Sequence, residues 1–268
     1  MKTKLNEYKT YLINIKRSLV YYNFLILLAE YLEEKNLTFE TLTKEQMAQY
    51  FTDKKYSSNS INNVIKSCRN YCKFLKIEQH PCFEIKMLEV IKREIEVLEL
   101  EDIQKTIKYI ATYNSRLNAN KIEVILYLMF YSLLRKGELI LLKRENFDLV
   151  NSEVKIYEEK TKRENTVDFP EKLTPKIIAY FNSEPEETNA FNITEAEINY
   201  LFRVVMSKAL NKKVKPHLTR HGGIRYLLEK LPPQDVQDIA GHKNIMTTLQ
   251  YGKVNRKTRK ENYRKKIG

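Results

Sequence analysis

Three short pieces near the C-terminal end carry side chains that suit one reaction: His217-Leu-Thr-Arg220, Gly241-His242 and a tyrosine, Tyr251. A phenol oxygen can attack a phosphate diester if cations grip the phosphate and a neighbouring group or charge helps the phenol to ionise, because a free phenol loses its proton only near pH 10. Arginine stays charged and binds phosphate oxygens through paired donors. Histidine can donate a hydrogen bond or carry a proton. His217 and Arg220, at i and i+3, share a face if their segment is helical. A fourth piece, Leu133-Leu-Arg135-Lys-Gly-Glu138, sets an arginine at the end of an apolar helix with a glycine and an acid behind it. Read alone, it is a C-terminal helix charge, a glycine cap and a local Arg–Glu pair. His217 and His221, at i and i+4, have the spacing of a zinc pair. No carboxylate follows as in H-E-x-x-H and no third ligand stands close in sequence, so no metal is assigned.

Forty-seven Lys and Arg against thirty-four Asp and Glu give a formal charge of +13. That balance favours a polyanion, since each phosphate neutralised by a bound cation releases counterions. No apolar run approaches the roughly 20 residues that cross a bilayer, and the first residues lack the apolar stretch of a signal peptide, so a cytoplasmic protein is expected. With six glycines and no Gly-rich loop, a nucleotide-binding P-loop is excluded, and phosphoryl chemistry here would need no ATP. Cys68, Cys72 and Cys82 are odd in number, and the first two fall on an apolar helical stripe. They read as core residues, not as a disulfide framework.

The elements that must position these residues are mainly α, with one small antiparallel β-sheet. Residues 1–83 read as a helical bundle, with Leu5, Tyr8 and Leu12 at helical spacing and an apolar stretch from Leu19 to Leu32. Thr43-Lys-Glu-Gln46 is a capping box. Ser58 or Ser60 can cap a fourth helix whose stripe is Ile61, Ile65, Cys68, Cys72 and Leu75. His80-Pro81 breaks the pattern, and a charged linker is expected at 84–97. A second domain, 98–268, opens with a helix near Leu100. A helix from about Lys121 to Leu134 then buries Ile122, Ile125, Leu126, Met129, Phe130 and Leu133. Phe147 to Tyr157, with a turn at Asn151-Ser152, and Thr166 to Phe169 read as strands, the last hairpin tipped by Lys160-Thr-Lys-Arg163. From Pro175 the pattern is helical, interrupted at Glu184 to Thr188 and at Pro232-Pro233. The tail from Lys253 to Gly268 holds eight Lys or Arg and a single acid.

In this order and near these spacings the pieces resemble the tyrosine recombinases, the family of phage integrases, Cre and the Xer recombinases. The likeness runs from Leu98 to about Lys253. Leu98-Glu-Leu-Glu-Asp-Ile103 is similar to the family's opening helix, Leu134-Arg-Lys-Gly-Glu-Leu139 to its first arginine motif, and the hairpin to its lysine loop. After Arg220-His221 the family usually continues with residues such as Ser-Phe-Ala-Thr, where this chain has Gly-Gly-Ile-Arg225. The Lys-, Ile- and Asn-rich composition is similar to that of mobile-element integrases from AT-rich archaea or bacteria.

The resemblance implies a SAM-like core-binding bundle followed by a tyrosine recombinase catalytic domain. Its catalytic residues would be Arg135, Lys160, His217, Arg220, His242 and Tyr251. Tyr251 would be the nucleophile, His217 the base, the hairpin lysine the acid, and His242 a donor to the phosphate, with Glu138 orienting Arg135. Lys162, better spaced from Pro170, competes with Lys160. The implied partner is double-stranded DNA bearing specific sites, bound by a dimer or tetramer that exchanges strands through a Holliday junction without metal, nucleotide or other cofactor. The bundle would close over the far face of the duplex, with Lys54, Lys55, Lys66 and Arg69 as candidate phosphate contacts. The rivals are a type IB topoisomerase, against which His217 argues because those enzymes tend to carry lysine there, and a DNA-binding regulator that has lost catalysis.

Overall fold

A computed structural model describes residues 2–17, 19–90, 95–112, 118–158, 163–252, 263, 264 and 267. The chain divides into two compact units, Met1–Arg93 and Glu94–Gly268. Among the described residues no helix is long and apolar enough to cross a membrane.

The first unit is built on α1 (Lys2–Asn14), α2 (Val20–Glu34), α3 (Lys44–Asp53), α4 (Ser58–Leu75) and a short α5 (Pro81–Glu84). Leu5, Tyr8 and Leu12 of α1 are buried against Leu25, Leu28 and Leu32 of α2, with Val64, Cys68, Tyr71 and Cys72 of α4 completing the core. Thr43 and Gln46 form both halves of the expected capping box. The cap of α4 is Ser57, one residue ahead of Ser58 and three ahead of Ser60: its side chain accepts from the Ser60 N–H.

His80-Pro81 does more than stop α4. His80 is extended, as a residue before proline must be, and caps α5, whose first turn contains Pro81. Its Nδ1 accepts from the Cys82 N–H at 3.2 Å, and its Nε2–H therefore donates to the Phe39 carbonyl at 3.0 Å. The three cysteines are buried and free, with Cys72 Sγ 3.8 Å from Cys82 Sγ. Burial pushes the thiol of Cys68 far up. A hydrogen bond with Cys82, followed by burial, does the same at Cys72. With both His80 nitrogens committed to the backbone, the Cys72–His80–Cys82 group serves as a cap and as packing.

Residues 84–90, expected to begin a linker, are fastened to α4. Asn62 exchanges two hydrogen bonds of 2.8 Å with the Leu88 backbone. Arg69 donates to the carbonyls of Cys82 and Ile85, each at 2.8 Å. Arg69 is thus a fastening residue, whereas Lys54, Lys55 and Lys66 are exposed.

The second unit runs α6 (Leu100–Thr112), α7 (Ala119–Tyr131), α8 (Lys136–Leu141), β1 (Phe147–Asp148), β2 (Glu153–Glu158), β3 (Arg163–Asp168), α9 (Thr174–Ser183), α10 (Glu195–Tyr200), a π-helical stretch (Leu201–Met206), α11 (Ser207–Leu210), α12 (Pro216–Leu228), α13 (Pro233–Ile239) and α14 (Ile245–Leu249). The strands form one antiparallel sheet in the order β1-β2-β3, with Val154 opposite Val167 and Glu158 opposite Arg163. Alternation along β2 puts Val154 and Ile156 in the core and Tyr157 in solvent, as a half-buried strand requires. Helix α7 is buried almost all round, from Ile122 to Phe130.

Helix α12 owes its position to two adjacent glycines. A Cβ on Gly222 would stand 1.7 Å from the Leu98 carbonyl oxygen, and one on Gly223 would stand 2.0 Å from that of Phe130. The helix is therefore wedged between the segment leading into α6 and the backbone of α7. The Leu98 N–H donates to the Leu218 carbonyl at 3.1 Å, which ties the same segment to α12 one turn earlier. The Gly-Gly step that departs from the family's usual sequence is thus a close-packing device.

Adding a methyl at Gly222 has no room to be absorbed, because backbone must move. Gly222→Ala should lower unfolding free energy by at least about 1–3 kcal/mol, read in urea denaturation. Gly137→Ala, with nothing within 4 Å of the added Cβ, should be neutral or stabilising by up to about 1 kcal/mol because it lies in a helix.

Candidate active site

Helix α7 ends at Tyr131, earlier than the expected Leu134, because Leu133 turns the chain with a φ of 54°. A bulky residue in the left-handed region is strained by about 1–3 kcal/mol, and here the strain accompanies a sharp change of direction. Arg135 consequently does not terminate α7. It is the N-cap residue of α8, and Gly137 lies inside that helix instead of capping the previous one. A cation at a helix N-terminus opposes the helix dipole, and Glu138 relieves this. Its carboxylate accepts from the Arg135 backbone N–H at 2.7 Å and from Nη1 at 2.5 Å. Glu138 is only 8 % exposed, so the pair fixes the guanidinium.

Arg220, on α12, is 3 % exposed. Its Nη1 donates to the Leu133 carbonyl and its Nη2 to the Ala240 carbonyl. One side chain thereby holds the α7–α8 turn, α12 and the end of α13 to one point. His217, one turn earlier on α12, opens with Arg135 and Arg220 on a cavity of about 370 Å³ whose lining also includes Lys136, Arg203 and Lys215.

The Gly241-His242 piece is a helix ending of the Schellman type. Gly241 sits at φ 58°, its N–H donates to the Asp238 carbonyl at 2.9 Å, and the His242 N–H donates to Gln237 at 3.0 Å. Glycine is needed there for its left-handed backbone, and the turn delivers His242, whose Nδ1 lies 2.9 Å from the buried Thr248 hydroxyl. Tyr251 follows α14 directly, its N–H bonded to the Thr248 carbonyl at 3.1 Å. Its half-buried ring packs on a small satellite core of Leu133, Ile224, Val236 and Ala240. Ring centres lie 5.0 Å apart for His221 and Tyr251, 6.4 Å for His242 and Tyr251, and 4.3 Å for His217 and His221.

The charges fall into two kinds. Burial first, then the Arg220 and Arg135 cations and the other two imidazoles, hold His242 down at about 4. Burial, His221 and the same two arginines do so at His217, also about 4. Burial raises the Tyr251 phenol, and Arg220 opposes that rise. At neutral pH the site therefore has permanent guanidinium cations beside neutral imidazoles and a neutral phenol.

The model of the phage integrase family matches residues 96–258. The chain belongs to that family. It is a tyrosine recombinase. It is 27 % identical over 209 residues to a tyrosine recombinase of Pseudothermotoga lettingae, covering 74 % of this chain and 71 % of the relative. It is 26 % identical over 210 residues to the tyrosine recombinase XerA of Thermococcus kodakarensis, covering 74 % and 72 %. Among solved structures, the Tn1549 transposon integrase in complex with transposon right end DNA shares the fold, with a TM-score of 0.72 at 14 % identity over 99 % of both chains.

Of the residues expected to form this recombinase's site, the fold brings together Arg135, His217, Arg220, His242 and Tyr251. Lys160 and its competitor Lys162 lie outside the described residues, between β2 and β3. The sequence reading missed Arg203 and Lys215 at the cavity, because they come from separate elements with no motif between them. It also passed over His221, weighing it only as half of a zinc pair. The His217 and His221 rings in fact pack edge to face at 72°.

Arg220→Lys keeps the charge but has one head group for two carbonyls, and an unpaired buried acceptor costs about 1–3 kcal/mol. Urea denaturation should show a loss of that size, and a smaller one for Arg135→Lys at the more exposed position. Unfolded histidines take up protons near pH 6.5, whereas His242 and His217 in the folded protein wait until about pH 4. The unfolded state therefore binds more protons between these values, and stability falls as pH is lowered through that window. His217 presents more of its surface to solvent than His242 does, which screens the charges around it, so the larger share belongs to His242. His242→Gln should flatten the dependence of unfolding free energy on pH between about 6.5 and 4, measured in denaturant titrations.

Proposed function

We propose that this recombinase cleaves and rejoins DNA strands at specific sites through a 3′-phosphotyrosyl link formed by Tyr251. The observation that carries the reading is the convergence of Arg135, Arg220 and His217 on one cavity with Tyr251 docked in the same unit beside His221 and His242. A phosphate seated there gains charge on its non-bridging oxygens as the phenol attacks. Catalysis of that step is mostly positioning and stabilisation by fixed cations. Arg135, held by Glu138, and Arg220, held by two carbonyls, need no reorganisation when charge develops. His217 and His242, as neutral imidazoles, can each give a hydrogen bond to a phosphate oxygen.

Attack breaks the phenol O–H, whose proton goes to a neighbouring imidazole, His217 by family resemblance, forms the Oη–P bond and breaks the bond to the 5′-oxygen, which takes a proton as it leaves. Family resemblance assigns that proton to the hairpin lysine, Lys160 in preference to Lys162. The phosphotyrosyl diester keeps the energy of the broken bond, so the 5′-hydroxyl of another strand can reverse the step onto a new partner. No ATP or metal enters this scheme. Exchange of two strand pairs through a Holliday junction would take place in a tetramer assembled on DNA, with the first unit and the basic tail adding phosphate contacts. The tetramer and a cytoplasmic setting belong to the same proposal.

The direct test is covalent capture: the protein is incubated with a pool of nicked duplexes, denatured, and the attached strands are sequenced. Wild type should retain strands through a 3′ end, and Tyr251→Phe should retain none while binding DNA as before. Retention by Tyr251→Phe overturns the assignment. The lysine is tested by comparing Lys160→Ala with Lys162→Ala. Loss of the general acid should slow cleavage by about 100-fold or more. A captured substrate remade with a sulfur at the 5′-bridging position should restore the rate, because a thiolate leaves without a proton.

A further inference from the structure

His221 is the one imidazole at the site that the scheme leaves without a task. Its Nδ1 stands 3.3 Å from the backbone carbonyl of Glu96. A carbonyl only accepts, so Nδ1 bears the proton and the lone pair is on Nε2. That carbonyl is well placed to fix the ring, because the Leu98 N–H bonds to α12 and Gly222 lets the same segment touch the helix backbone. Among the described residues Nε2 makes no hydrogen bond. The ring packs on both other groups of interest, its centre 4.3 Å from that of His217 and 5.0 Å from that of Tyr251. His217 has no ring contact with Tyr251 among the described residues and faces the arginine-lined cavity instead. His242 is farther from Tyr251, and its Nδ1 is engaged with Thr248.

We propose that His221, in place of His217, receives the phenol proton when Tyr251 attacks the phosphate. The proposal rests on Tyr251 being the nucleophile. In the forward step the phenol O–H breaks as Oη–P forms, the proton goes to Nε2 of His221, and the 5′-oxygen leaves with a proton from the separate acid. The resulting imidazolium is stabilised by its Nδ1–H bond to the Glu96 carbonyl, as base and orienting acceptor are paired in other proton-transfer sites. In the reverse step the 5′-hydroxyl returns its proton to the conjugate base of that acid, Oη–P breaks, and His221 hands its proton back to Tyr251. Burial first, and Arg220 after it, lower the pKa of His221 against the pull of the Glu96 carbonyl, so the base is unprotonated before attack. His217 is left as a ligand of the phosphate.

The test uses the full chain and a nicked duplex recovered by wild-type capture, with single-turnover cleavage, DNA binding and melting temperature measured together. His221→Ala should cleave about 100-fold more slowly or worse, with binding within about threefold of wild type, and added imidazole should restore part of the rate. His217→Ala should not respond to imidazole. His221→Gln guards against a folding defect, since its amide can still donate to the Glu96 carbonyl but cannot accept the proton. It should melt like wild type and be as slow as His221→Ala. Wild-type cleavage by His221→Gln, or imidazole rescue of His217→Ala and not of His221→Ala, overturns the proposal. Capture by wild type and its loss in Tyr251→Phe upholds the nucleophile whatever His221 does. A wild type that captures nothing from the pool removes nucleophile and base together.

Discussion

The site depends on a buried arginine. Arg220 is almost wholly removed from solvent, a placement that costs several kcal/mol per ion unless hydrogen bonds replace the lost water. Its donors to Leu133 and Ala240 supply part of that replacement. They are carbonyl bonds, which hold the guanidinium without neutralising it. The same two bonds set where Arg135 and His242 can be: Leu133 lies two residues before Arg135, and Ala240 two before His242. One side chain thus fixes the spacing between two others that are far apart in sequence. Its own place is fixed by α12, which reaches α7 and the segment before α6 only because Gly222 and Gly223 bring no side chain to those contacts.

That dependence explains which parts were legible in the sequence. The pairing of His217 with Arg220 could be read because i and i+3 on one helix is a local relation. Gly241-His242 could be read because a left-handed helix ending wants glycine. The bundle, the sheet and the buried face of α7 followed from periodicity together with local cap and turn residues. Arg135 was misplaced for a physical reason: the turn before it is made by Leu133 in a conformation that leucine rarely adopts, while the glycine that suggested a helix ending, Gly137, is an ordinary helical residue. The local preferences pointed one way, and a tertiary hydrogen bond from Arg220 accompanies the opposite outcome.

Arg69 and His221 show the same limit from another side. Each bonds to main-chain carbonyls, and a carbonyl is present at every residue, so no residue type marks where such an acceptor will be. Arg69 reads as a surface cation until α5 is seen to present its carbonyls. His221 reads as a spare imidazole until Glu96, 125 residues earlier, is seen to face it. Motifs made of side chains can be read from order and spacing; sites completed by backbone need the fold.

The division between permanent and conditional charge follows from the same burial. A buried imidazole beside two guanidiniums is driven neutral, and a buried phenol is driven to keep its proton. A phosphate that enters opposes the first tendency and adds to the second, because its negative charge favours a protonated imidazole and disfavours a naked phenolate. Proton movement from Tyr251 to a neighbouring histidine is therefore coupled to formation of the Oη–P bond, which removes the phenolate charge while the phosphate favours the imidazolium. The coupling needs no moving part. It arises because the cations that hold the substrate are arginines, whose charge does not respond, and the rings packed on the tyrosine are histidines, whose charge does.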